Sequence, residues 1–297
     1  MLGNFLCIRE STMKRNTETI GLLERLVDFQ TVSRDSNRDL IEFVRSYLTE
    51  RGVHSELVEA EPGGKANLLA TIGPTDVAGV MLSAHTDVVP VDGQQWTTDP
   101  FSLVERNGKL FGRGTADMKA FIACCLSFID SLQGRMLTAP VHLCLSYDEE
   151  IGCVGVRSLI DRLASARTKA RFCIVGEPTS MRVATGHKGK IAARAVFEGV
   201  EGHSANAPRH LNAIYLASDF IGRLRSRQES IAETGIRDTA YDVQYTTLHV
   251  GKINAGTALN IVPRLCSLDS RFAISWPMMP TRSLAKSLTI LRNICRA

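Results

Sequence analysis

The sequence predicts an α/β fold: a mostly parallel central sheet flanked by helices, joined to a second, smaller α+β domain. Three observations predict it. Between residues 20 and 175, short apolar runs of strand length alternate with stretches whose apolar residues recur at helical spacing. From about Gly186 the texture changes to long strands alternating in period two. The length, 297 residues, suits one large or two medium domains. The domains are therefore drawn as 1–182 and 183–297.

Each element follows from its pattern. In 20–29, Ile20, Leu23 and Val27 form one stripe with Leu22, Leu26 and Phe29 beside it, and 39–50 repeats the spacing with Ile41, Val44 and Leu48. Both read as helices. The runs 67–72 and 80–84 read as strands, 118–132 as a helix, 141–147 as a strand, 156–163 as a helix and 172–175 as a strand. In the second domain, 191–198 is an alternating strand, 211–224 a helix, and 245–253 and 264–274 further strands. In the last of these, Cys266, Leu268, Phe272 and Ile274 share one face and Asp269 and Arg271 the other. The tail beyond Trp276 carries a short, basic, helix-like piece.

Composition excludes several function classes. Hydrophobic residues make up 44% of the chain and charged residues 22%, so disorder is not its main state. A net charge of +4 with no Lys/Arg run gives no footprint for nucleic acid. The longest apolar run, 121–129, is broken by Ser127 and falls short of the roughly 18 residues a membrane helix needs. The N-terminal MLGNFLCIRE does not read as a secretory signal, and Met13 is a second candidate start. None of the eight cysteines forms a C-x-x-C pair. Cys124, Cys125, Cys144 and Cys173 sit in apolar runs, and the expectation is buried free thiols in a reducing cytoplasm.

Chemistry-bearing residues recur just after the apolar strands. His85 and Asp87 follow 80–84, Asp117 follows the turn Gly112-Arg113-Gly114, Asp148-Glu149-Glu150 follow 141–147, and Glu177 follows 172–176. Functional groups of open α/β sheets gather at the carboxyl ends of strands, so these clusters are candidates for one crevice. So many carboxylates together repel one another unless cations sit among them. Each signal taken alone has an ordinary reading. His85-x-Asp87 resembles a surface pair, Asp117 a helix cap, Glu149-Glu150 an acidic turn, and Glu177-Pro178 a loop before a rigid turn.

Taken in order, four segments carry a resemblance: Ser83-Ala84-His85-Thr86-Asp87-Val88-Val89-Pro90, Gly112-Arg113-Gly114-Thr115-Ala116-Asp117-Met118-Lys119, Asp148-Glu149-Glu150-Ile151-Gly152-Cys153 and Val175-Gly176-Glu177-Pro178-Thr179. The chain resembles the dizinc deacetylase/aminoacylase family of metallopeptidase-like hydrolases from about residue 20 to about 272. Within it the resemblance is densest to the acetylornithine deacetylase branch of arginine biosynthesis. It is carried by Lys65-Ala66-Asn67-Leu68, Val91-Asp92-Gly93-Gln94-Gln95-Trp96, Tyr147-Asp148-Glu149-Glu150 and His187-Lys188-Gly189. Desuccinylases acting on succinyl-diaminopimelate, and carboxypeptidases, are the alternatives inside the family. An inactive remnant that keeps the dimerisation fold is the alternative outside it.

The resemblance implies roles. His85 would bind the first metal with Asp87 orienting it, Asp117 would bridge two metals, Glu150 would bind the second, Glu177 would complete the first, and Glu149 would be the general base. The metals would be Zn²⁺, with Co²⁺ compatible. In Gly202-His203-Ser204-Ala205, His203 would reach across a homodimer to steady the oxyanion. Asn260, in the segment Gly256 to Pro263, and Arg271 would bind the substrate, a small N-acyl amino acid. The family's last metal ligand is a histidine near its C-terminus. All seven histidines here lie at or before His249 and none fits that role. A truncated chain with a weakened second metal and low activity is therefore expected.

Overall fold

A computed structural model describes residues 17–59, 64–165, 169–184 and 186–274. Met13 and the helix-like piece beyond Trp276 lie outside these residues. The chain divides into two compact units, Met1–Val183 and Ala184–Ala297.

The first unit is an α/β layer structure. Its sheet holds β1 (Ser55–Glu59), β2 (Ala66–Ile72), β3 (Val80–His85), β6 (Val141–Ser146) and β7 (Phe172–Val175) in the order β1-β2-β6-β3-β7. β4 (Val104–Arg106) and β5 (Lys109–Phe111) form a separate hairpin. The sheet is mixed rather than mostly parallel. β3 runs parallel to both β6 and β7, whereas β1–β2 and β2–β6 are antiparallel. The parallel half carries the chemistry. His85 is level with Ser146 and Ser83 with Val175, so three strands end on the same edge.

Helices α1 (17–28), α2 (Arg38–Thr49) and α3 (Ala120–Asp130) supply the core with Leu26, Leu40, Ile41, Val44, Leu48, Ile122, Leu126 and Ile129. These meet Leu68 and Ala70, Leu82 and Ala84, and Leu143 and Leu145, which alternate along β2, β3 and β6. On the other face, α4 (Val156–Ala164) is tied to β2, where buried Asn67 donates to the Gly155 carbonyl and to Ser158 Oγ. Leu126 is fully buried at the centre of this core. Leu126→Ala is expected to cost about 2–5 kcal/mol in urea unfolding, and a loss below about 1 kcal/mol would contradict the packing.

The second unit stacks α5 (Ala213–Thr234) on an antiparallel sheet, β10 (Thr247–Ala255), β12 (Leu265–Ile274) and β8 (Gly189–Glu198). Cys266, Leu268, Phe272 and Ile274 are buried along β12, while Asp269 takes a two-point ion pair from Arg194 on the opposite face. β9 (Gly202–His203) and β11 (Ile261–Val262) form a small ribbon.

Two cysteine expectations need correction. Cys125 and Cys144 are buried, but Cys124 and Cys173 are exposed. Cys124 sits on the outer side of α3, and every residue of β7 at the end of the sheet is exposed. No helix among the described residues is long and apolar enough to cross a membrane.

Candidate metal centre

Everything at the centre is arranged around one imidazole. His85 ends β3 and is 3% exposed. Its Nδ1 lies 2.9 Å from the main-chain carbonyl of Asp87, and a carbonyl can only accept. The Nδ1–H is thereby fixed, and Nε2 points outward to Asp117 Oδ1 at 2.9 Å and Glu177 Oε1 at 3.7 Å. In the neutral ring that leaves Nε2 as the free ligand atom.

Asp87 orients His85, but chiefly through its carbonyl; its carboxylate stands 3.5 Å from Nδ1. That carboxylate has other work. It accepts from Ser33 Oγ at 2.7 Å and from the backbone N–H groups of Glu149 and Glu150 at 3.0 and 3.2 Å. Burial raises its pKa, yet the hydrogen bonds from His85, Ser33 and Glu149 outweigh burial and hold it below the usual carboxylate range.

Asp117 caps no helix. It sits in a wide turn, Thr115–Lys119, with extended φ/ψ, and α3 begins only at Ala120. The Asp117–Met118 peptide is cis. Gly114 makes the turn possible: its φ is +83°, and a Cβ there would lie 2.8 Å from Val88 Cγ1. Lys119 anchors the other end, donating through Nζ to the Phe29 carbonyl at 2.6 Å, just past the end of α1. Burial pulls its pKa down to about 7. Gly176 sets Glu177 close to the centre, since a Cβ there would lie 2.0 Å from the Phe121 ring.

Two ligand groupings result, both through His85. His85, Asp117 and Glu150 offer atoms within 4.8 Å of one another, and so do His85, Glu149 and Glu177. Five of the residues the sequence picks out for the crevice, His85, Asp117, Glu149, Glu150 and Glu177, therefore converge, and Glu149 stands in a ligand-like grouping. Burial, followed by the charge of Asp117, pushes the Glu150 and Glu177 carboxyls above their ordinary range. For His85, burial acts downward, but hydrogen bonds and charge from Asp87 and then Asp117 prevail and raise it to about 9. One nitrogen and several carboxylates that disfavour one another's charge make a donor set suited to hard or borderline divalent cations. A cavity of about 230 Å³, lined by Asp117, Glu150, Arg113 and the Gly112–Ala116 backbone, opens onto these groups.

In the second unit, His203 and Asn260 come together. Ser204 N–H donates to the Asn260 carbonyl at 2.9 Å, and His203 pairs with Ile261 across the β9–β11 ribbon. His203 Nδ1 accepts the Ala205 N–H at 3.1 Å, which leaves Nε2–H as an exposed donor. Arg271 lies on the exposed face of β12, opposite His249 and Ala192. It is about 20 Å along the strand from Leu265 at ordinary strand rise. Among the described residues no hydrogen bond or ion pair joins it to His203 or Asn260. Sequence reasoning passed over Ser33 and gave no role to Lys65 or Lys119, although both stand in the resembling segments; all three hold the centre from behind.

The chain matches the model of peptidase family M20/M25/M40 over residues 81–287. It is 35% identical over 263 residues to an acetylornithine deacetylase of Pasteurella multocida (strain Pm70), covering 86% of this chain and 68% of that protein. It is 36% identical over 254 residues to an acetylornithine deacetylase of Shigella sonnei (strain Ss046), covering 85% and 63% respectively. The chain thus spans about two thirds of the length of these relatives. Its fold is similar to that of an M20 family metallo-carboxypeptidase from Sulfolobus solfataricus, with a TM-score of 0.72 at 20% identity, covering 94% of this chain and 75% of that one. With matched residues running from β3 through the candidate centre and on into the second unit, this chain belongs to peptidase family M20/M25/M40.

Proposed function

We propose that this chain carries the centre of a metal-dependent amidohydrolase that removes the acetyl group from N-acetylornithine or a related N-acyl amino acid, as a cytoplasmic step of arginine biosynthesis. The observation that carries the reading is the convergence of His85 with Asp117 and Glu150, and with Glu149 and Glu177. His85, Asp117, Glu150 and Glu177 would hold a pair of Zn²⁺ or Co²⁺ ions. When bound, the ions supply Lewis acidity and lower the pKa of water. Glu149 then takes a proton from the attacking water and returns it to the departing amine. His203, supplied across a homodimer, donates its Nε2–H to the oxyanion. Asn260 and Arg271 hold the amino-acid end.

The test is a substrate panel: N-acetylornithine, N-succinyl-diaminopimelate and N-acyl glutamates, each with the full chain plus Zn²⁺ or Co²⁺, read by ninhydrin. Metal-dependent amine release, fastest from N-acetylornithine, is the expected result. Preference for another acyl donor would reassign the substrate. Absence of release from every member would sink the hydrolase reading.

A further inference from the structure

We infer that Lys65 and Asp148 form a clamp that sets the Glu149-Glu150 turn before any metal is bound, which makes both of them positioning residues. Lys65 Nζ donates to Asp148 Oδ1 at 2.5 Å and to the Ser33 carbonyl at 2.6 Å. Both side chains are largely enclosed, 19% and 12% exposed, so the pair is screened less than a surface one. Lys65 itself is held in place. Its neighbour Ala66 exchanges hydrogen bonds with the Asn37 side chain in both directions, at 2.9 and 3.0 Å.

The clamp closes a ring of contacts. Ser33, whose carbonyl Lys65 grips, donates its hydroxyl to the Asp87 carboxylate, and that carboxylate receives the Glu149 and Glu150 N–H groups. Asp148, Glu149 and Glu150 are therefore fixed from two sides by loops that precede β2 and follow β3. No contact in the ring needs an ion. Asp148 has a φ of +56°, a left-handed conformation that Asp tolerates better than most L residues, and the reversal it makes crowds carboxylates together. The chain leaves β6 in a sharp turn that aims two adjacent glutamates at one centre, against the repulsion of Asp87 and Asp117. An ammonium behind the turn opposes that repulsion and holds the reversed backbone.

The experiment uses the full chain and two variants. Lys65→Met removes the ammonium but keeps the stem, and Asp148→Asn keeps the shape and tolerates the backbone. The first readout is hydrogen exchange of the Glu149 and Glu150 amides in the metal-free protein. Each variant is expected to speed both amides at least about tenfold while α3 amides keep the parent rate. The second is Zn²⁺ affinity by competition with a chelating dye. Each variant is expected to lose about 10–100-fold, and the double variant no more than the larger single loss. Parent-like exchange at both amides in Asp148→Asn overturns the clamp. So does a uniform acceleration that includes α3, which would mean general loosening. The zinc readout rests on the metal-centre reading. If the parent chain binds no zinc, that reading fails, and the exchange rates alone still decide the clamp.

Discussion

Glu149→Gln is expected to lower kcat on the preferred N-acyl amino acid by about 100–10,000-fold, the range for losing a general base, while metal content stays at the parent value. The amide keeps the size and the backbone contact to Asp87 but cannot take a proton. Its side chain touches the Cys153 thiol, which donates to Glu149 Oε1 at 3.3 Å, and it stands in a ligand grouping with His85 and Glu177. The variant separates two roles that the geometry alone places side by side. Turnover lost with metal kept assigns Glu149 as the base. Metal lost along with turnover makes it a ligand and moves the proton transfer elsewhere. Near-parent kcat would reject both.

Much of the centre is legible in the sequence because parallel strands leave a simple trace. β3, β6 and β7 are short apolar runs, and each is followed within a few residues by its acid or histidine. The sheet is another matter. β1 and β2 are antiparallel additions, and strand direction is a property of connections and pairing that apolar runs do not record. The β4–β5 hairpin went unread because each strand has three half- or fully exposed residues, although its Asn107-Gly108 turn, with φ of +55° and +68°, is a strong local signal. The positioning role of Lys65, a residue of one resembling segment, is invisible for a different reason. Its partner Asp148 is 83 residues away, and a lysine before a strand looks like any solvated charge until the fold brings the two together. Asp87 shows the limit of reading by spacing: His-x-Asp places it beside the imidazole, but not its carboxylate against the turn of another strand.

The metal affinity of the centre is expected to rise about tenfold per pH unit from pH 6 to 9, close to a thousandfold in all, and to level off above pH 9. The cause is the proton on His85. With Nδ1–H tied to the Asp87 carbonyl, the proton the ring must give up is the one on Nε2, and the charge of Asp87, followed by that of Asp117, raises the ring's pKa to about 9. An ion must displace that proton, so protons compete with metal throughout the range below pH 9. Unfolding experiments would hide this. Protonated His85 favours the folded state below its unfolded pKa near 6.5, and that stability is lost as pH rises through about 9. Buried Lys119, lowered from 10.5 to about 7, acts with the opposite sign, because there the unfolded chain binds the extra proton. The two offset each other between about pH 7 and 9, so stability is expected to change little there while metal affinity changes steeply. Competition titrations at pH 6, 7, 8 and 9 measure the slope directly. Asp117→Asn removes one of the two charges that raise the ring's pKa, and should move the break in the profile to lower pH even as it weakens binding overall. An affinity in the parent chain that is already flat above pH 7 would mean that Nε2 carries no such proton, and that the imidazole is not held as described.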